Sequence, residues 1–320
     1  MNVISHHTGL KGQYRYERKQ AGILVESTPW RDNIILNQGL DFFASTSIGF
    51  FLGFCSVSSD TGVPAETDTS FGSITATDTT VNTCTRTNVG APTYATEIVT
   101  SYMFPVGTFS STGVYIRQFG VGRGTTLFSK HRLVDSAGVP TELGVDNLTE
   151  LTVYYKLIVT PTVVDITGSV LGSDYIGRIS GVSTFMGAPS TALTAPPCFG
   201  VSMNYVSGGP ITVYPSTSVL GPVTGVPTGT GLLVSGTSLT QEVVPTSYVP
   251  GTFARQNKVT IVPSAGNASG GIGALVMRNT AVNSATYTQC AHQYQFTPPL
   301  AKDATKTLSL TFAYTWGRTT

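Results

Sequence analysis

The stretch AKDATKTLSLTFAYTWGR (301–318) places large apolar side chains at every second position: Leu308, Leu310, Phe312, Tyr314 and Trp316. Between them stand Thr307, Ser309, Thr311, Ala313, Thr315 and Gly317, all small or polar. A period of two puts one set of side chains on a buried face and the other on the opposite face, which is a β-strand. A second strip of the same kind lies mid-chain in LTELTVYYKLIVTP (148–161), where Leu151, Val153, Tyr155, Leu157 and Val159 share one parity. Two such strips, one at the middle and one at the end, suggest that each closes a β domain.

Composition agrees with a β protein. The chain has 320 residues, of which only 11% are charged while 40% are hydrophobic, with 15 Phe and 14 Tyr. An ordinary soluble domain carries about 25% charged residues. Here Thr, Ser, Gly and Val fill the difference, as expected of strands joined by many turns. The net charge of +1 offers no positive field for a phosphate backbone, so no nucleic-acid partner is expected. No run of about 18 apolar residues is present, so no membrane insertion is expected. Low charge also removes repulsion between copies, which favours assembly.

Strand-like runs recur along the chain. GQYRYERK, the turn QAG and ILVES read as a hairpin. Asn37 is placed to cap a short helix through Leu40 and Phe43, with Gly39 weakening it. Further strands are predicted at IGFFLGFCSVSS, YATEIVTSYMFP, VYIRQFGVG and TLFSKHRLV, and after Pro161 at DYIGRISGVS, FGVSMNYVSG, ITVYPSTSV, GLLVSGTS, RQNKVTIVPS and GIGALVMRN. The last stretch reads as a hairpin whose connection, TPPLAKDAT, holds Pro298 and Pro299, since proline cannot donate to a ladder. The expected fold is all-β: two antiparallel β-sandwich-like domains, with at most a short helix near residues 37–44. The domain bounds are an N-terminal arm over 1–12, a first β domain over 13–162 and a second over 163–320. Residues 205–250 read as loops and edge hairpins.

Residues suited to chemistry are few, and no catalytic, cofactor-binding or metal-binding residue is assigned. The carboxylate pairs Glu66 and Asp68, Asp146 and Glu150, and Asp165 and Asp174 read as turn acids. FGVGRGTTLF carries Gly120, Gly122 and Gly124 but lacks the Lys-Ser/Thr ending of a phosphate loop, so it reads as a tight connection between strands. His6 and His7 read as exposed terminal residues, and His131 and His292 stand alone. The basic groups Arg15, Arg18, Lys19 and Lys130, His131, Arg132 read as solvated strand faces or edges. Cys55, Cys84, Cys198 and Cys290 have no zinc-ligand spacing and read as isolated thiols. The opening residues have no apolar segment after a basic start, so folding in a reducing cytoplasm is expected.

Several stretches resemble, in order, a group of tailed-bacteriophage structural proteins identified variously as tail, tail-fibre, baseplate or appendage proteins. The residues are 12–44, 54–73, 113–161 and 294–318. The shared patterns are Tyr14, Tyr16 and Glu17; Asn33, Ile35, Gly39 and Leu40; Asp68 and Thr69; and the run LFSKHRLVDSAGVPT over 127–141. Where the group has a glycine-rich turn, this chain has VSSDTG (57–62). The resemblance implies a non-enzymatic structural component of a phage tail or tail-associated appendage. Such a protein would be assembled in the host cytoplasm as a homo-oligomer with other virion tail proteins. The alternative it implies is a receptor-binding module of the tail that contacts a host surface glycan or pilus, with the 221–231 loop as its contact region.

Overall fold

The computed structural model describes residues 3–43, 52–89, 95–123, 125–161, 166–180, 211–216, 241–245, 248–263, 267, 271–279 and 291–319. Strand β1 is Val3–Gln20, and β2, Ile23–Ser27, returns along its end. Between them Ala21 and Gly22 both have positive φ, 48° and 82°, the two-residue turn whose twist suits a hairpin. The short strands β3, Arg31–Asp32, and β4, Ile34–Ile35, lead into helix α1, Asn37–Phe43. Next come β5 (Phe54–Ser58), β6 (Ile74–Asp78), β7 (Thr83–Val89) and β8 (Ala95–Phe104). They are followed by β9 (Val114–Ile116), β10 (Gln118–Arg123), β11 (Thr126–Arg132), β12 (Leu143–Val145) and β13 (Thr149–Pro161). The remaining strands are β14 (Ile166–Val170), β15 (Ser173–Ser180), β16 (Ile211–Ser216) and β17 (Gln241–Pro245). The chain closes with β18 (Ala254–Ile261), β19 (Ile272–Asn279), β20 (Ala291–Leu300) and β21 (Leu308–Arg318). The fold is all-β, with one short helix among the described residues.

Both apolar strips lie beside the same strand. The largest sheet runs β17-β18-β21-β1-β13-β8-β7, with β2 and β3 also paired to β1. β13 lies antiparallel to β1, with Leu10 opposite Val159 and Tyr14 opposite Tyr155. β21 lies parallel to β1 on its other edge, with Ile4 opposite Phe312 and Thr8 opposite Trp316. The buried parity of each strip is the one read from sequence, and in β21 it runs Leu308, Leu310, Phe312, Tyr314 and Trp316. The strips therefore meet at one seam, and that seam is β1.

Three expectations change as a result. Residues 3–12 are not an arm: they form the first part of β1, with Ile4 and Leu10 fully buried. The boundary expected at 162 falls across a sheet, because β17, β18 and β21 share it with β7, β8 and β13. The closing stretch is not a hairpin either. β20 pairs with β15 and β19 in a second five-stranded sheet, whereas β21 pairs with β18 and β1. Pro298 and Pro299 lie within β20, where the register with β19 jumps between Ile272 and Ala274, so no ladder bond needs their missing N–H.

Two layers cover the long sheet. Under β1 and β13 lies the sheet β4-β11-β10-β5-β6. Rings fill the space between them: Tyr14 is 4.9 Å from Tyr155 and 6.2 Å from Phe119, and Phe128 stands edge-on 6.4 Å from Tyr155. Against β21 lies the sheet β14-β15-β20-β19-β16, where Tyr294 meets Phe312 at 5.1 Å. Buried aromatic pairs of this kind add about 0.5–1.5 kcal/mol each beyond their area. A small sheet of β9 and β12 completes the described strands.

Helix α1 shows what the Asn-x-Ile-x-x-x-Gly-Leu pattern does. Asn33 N–H donates to the Gly12 carbonyl, and Ile35 and Leu40 are buried. Asn37 does not cap the helix with its side chain; its Oδ1 accepts from the Arg318 guanidinium at 2.6 Å. Gly39 lies against β11, where an added Cβ would be 2.3 Å from the Phe128 carbonyl oxygen. Alanine is the better helix former by about 1 kcal/mol, but a backbone oxygen at that distance cannot yield without moving the helix. Gly39→Ala is therefore expected to destabilise by about 1–3 kcal/mol, read from a denaturant midpoint. The glycines of β10 act similarly: a Cβ on Gly120 would strike the Phe71 ring and one on Gly122 the Thr126 carbonyl. They sit inside the strand rather than in the connection expected for them, and Gly124 lies outside the described residues.

Candidate functional site

A hollow of about 260 Å³ opens where β1 passes over the second layer. Its floor is Tyr14, Tyr16 and Phe119, with His131 and Leu133 beside them, all buried. β1 supplies the two tyrosines because even-numbered residues of that strand face inward. Tyr16 meets Phe119 edge-on at 5.6 Å, and His131 stacks on Tyr14 at 5.6 Å. The rim is formed by the 26–31 segment, including Glu26 and Arg31, and by the turn around Asp135 and Ser136.

The polar groups around the hollow differ in how far they are engaged. The Tyr16 hydroxyl donates to Glu26, which also takes the Arg18 guanidinium at 3.2 Å. Arg15 is paired with Glu17 at 3.0 Å and lies 3.9 Å over the Tyr154 ring. Asp135 Oδ1 accepts the N–H groups of Ala137 and Val139 within its own turn. His131 Nδ1 is 3.0 Å from the Asp32 carbonyl, which can only accept, so the proton sits on Nδ1. Its Nε2 is left as an acceptor and makes no hydrogen bond among the described residues. Arg31 has neither an ion pair nor a side-chain hydrogen bond among the described residues.

Burial, with a smaller contribution from nearby Arg31, pushes the His131 imidazole down from 6.5 to about 4. Between those values the unfolded chain binds a proton that the folded chain does not, so stability rises with pH across that window. Folding is therefore expected to be weakened by up to about 3 kcal/mol as pH falls from 6.5 to 4. A urea-midpoint series checks this, with His131→Gln flattening that part of the profile. Carboxylates held low by hydrogen bonds, such as Asp32 by Gln13 and Asp146 by Gln20, act below the window.

The residues weighed for chemistry fall mostly into structural ties. Glu66 meets Arg318 at 3.0 Å, Asp68 meets Lys130 at 2.8 Å and Glu150 meets Lys19 at 2.6 Å. Asp146 accepts from Gln20, Leu148 and Thr149, and Asp174 from Ser169; Asp165 lies outside the described residues. His7 hydrogen-bonds Thr315 across the β1–β21 seam. His6 lies in β1 and His292 in β20. Among the described residues no group of three His, Cys, Asp or Glu is placed to hold a metal.

Two expectations about these residues are corrected. Lys130 and His131 are buried rather than solvated, and Lys130 lies 4.9 Å over the Phe71 ring. Cys84 is disulfide-bonded, not an isolated thiol, whereas Cys55 is free and buried. Cys198, Cys290 and the 221–231 loop lie outside the described residues. The hollow itself was missed in the sequence. Its signal was the shared parity of His131 and Leu133, which marks His131 as inward-facing.

Comparison with protein-family models, with curated proteins and with solved structures found no match.

Proposed function

We propose that this chain is a structural component of a tailed-phage tail or tail-associated appendage, assembling with copies of itself and with other particle proteins. The observation that carries the reading is the edge formed by β2. Ile23, Leu24 and Val25 stand in a row there, 70%, 54% and 48% exposed, beside Leu148 at 50%. β1 is the sole described partner of β2. An apolar row on an open strand invites edge-to-edge pairing, and a subunit that covers it turns that hazard into an interface.

Three further points support the same reading. The resemblance of residues 12–44, 54–73, 113–161 and 294–318 is to tail and appendage proteins. The described carboxylate pairs are spent on ion pairs and turns, which favours an architectural role over a catalytic one. A disulfide at Cys84 suits a protein that works outside a reducing compartment.

The test is to label purified phage particles with a gold-tagged antibody against this chain and to immunoblot the disrupted particles. Label on the tail, its tip or an appendage is the expected result. Label on the head shell would overturn the tail assignment, and a blank blot of disrupted particles would overturn the particle reading.

A further inference from the structure

We infer that the hollow over Tyr16, Phe119 and His131 binds one acidic sugar residue, a pyranose ring bearing a carboxylate. The inference stands apart from the particle reading, since particle labelling and sugar binding can each fail alone.

Size sets the first limit. Pockets for drug-sized ligands run from about 300 to 1,000 Å³, and this one, at about 260 Å³, has room for a single ring. Its opening at the rim leaves a path for the rest of a glycan chain. The floor sets the second limit. Tyr16 and Phe119, edge-on to each other at 5.6 Å, are 7% and 0% exposed, so they seal the hollow from below without offering a ring face to a ligand. A ligand therefore meets the hollow chiefly through polar groups, as a hydroxyl-bearing ring does.

The polar groups then select the ligand. His131 is 6% exposed, its Nδ1–H is taken by the Asp32 carbonyl, and its ring is fixed by stacking on Tyr14. Nε2 is an acceptor without a partner among the described residues, so the ligand must bring a donor, as a sugar hydroxyl does. At the rim, Arg15 is committed to Glu17, and Glu26 to Tyr16 and Arg18. Asp135 engages its own turn through Oδ1. Arg31 is half-buried and is the rim cation with no partner among the described residues, so the charge left to satisfy is that of an anion. A guanidinium takes a carboxylate through two parallel hydrogen bonds.

Other ligands fit less well. A neutral sugar leaves Arg31 unpaired. A metal lacks ligands here, since no group of three donors is present among the described residues. A phosphate would have a single arginine and no glycine-rich loop to cradle it.

The test is titration of the full chain with glucuronate, galacturonate and N-acetylneuraminate, following the His131 imidazole signals by NMR. Glucose serves as the neutral control and acetate as the bare carboxylate. One acidic sugar is expected to give saturable shifts at least about ten-fold tighter than either control. Arg31→Ala should weaken it by about ten-fold or more. That variant keeps the fold, because Arg31 supports no other described group. His131→Gln, which retains a side-chain acceptor, should bind more weakly than the parent but still detectably. Absence of saturation by all three acids up to about 10 mM would overturn the inference. So would equal binding of glucose, or an Arg31→Ala protein that binds as well as the parent.

Discussion

A chain lacking residues 1–12 is expected to lose its cooperative unfolding transition altogether. Residues 3–10 are the whole strip of β1 that pairs with β21, so β21 loses its β1 partner entirely, and β13 loses the partners of Leu157–Pro161. Each ladder hydrogen bond contributes about 1 kcal/mol net, and burial of Ile4 and Leu10 about 1.5–3 kcal/mol apiece. The deletion also opens the edge of β21 and the far end of β13 to water. The sum exceeds the roughly 5–15 kcal/mol that holds an ordinary domain together. Circular dichroism and size-exclusion chromatography check this: the truncated chain should aggregate or lack a sharp melt. Leu10→Ala, a milder version, should cost about 2–5 kcal/mol while leaving the chain folded.

Trp316 is the second position at which a single change should have a large effect. It is 2% exposed at the end of β21, and its indole N–H donates to the Leu40 carbonyl at 2.8 Å. The Tyr248 ring lies 5.5 Å away, and the Tyr248 hydroxyl in turn donates to Asp41 of α1. The side chain thus ties the last strand to the helix and to the segment before β18. Trp316→Ala removes a large buried ring and orphans a carbonyl, so a loss of about 3–5 kcal/mol is expected. Trp316→Phe keeps most of the volume and loses the hydrogen bond, for about 1–3 kcal/mol. Urea denaturation of the two variants separates packing from the hydrogen bond.

What was legible in the sequence was local. The strips in β13 and β21 announce themselves because their apolar residues hold one parity over five positions. The β1–β2 hairpin is marked by Ala21-Gly22, and α1 falls where Asn37, Leu40 and Phe43 suggested. The first half of β1 was hidden for a definite reason. On the parity of Ile4 and Leu10 stand His6 and Thr8, so the apolar period is broken at its centre although the backbone is continuous strand. Pairing was hidden as well. Period-two patterns show which face of a strand is buried but not which strand lies beside it. Thus β20 and β21, neighbours along the chain, were read as partners although they belong to different sheets.

The candidate site was less legible still. His131 follows Lys130 and precedes Arg132, and a basic triplet reads as solvent-facing. In the fold, Lys130 is drawn inward by Asp68 and Phe71, and His131 by Asp32 and Tyr14. Those partners lie 60 or more residues away in sequence for Lys130–Asp68 and more for His131–Asp32. Burial of a polar side chain depends on such remote partners, and no local pattern carries them.

Hydrogen–deuterium exchange of the intact chain tests most directly whether β1 is the seam. The amides of residues 3–10 are expected to exchange as slowly as those of β13, opening only with the whole sheet. Exchange of residues 3–10 at the rate of a free peptide, with β13 still protected, would contradict it.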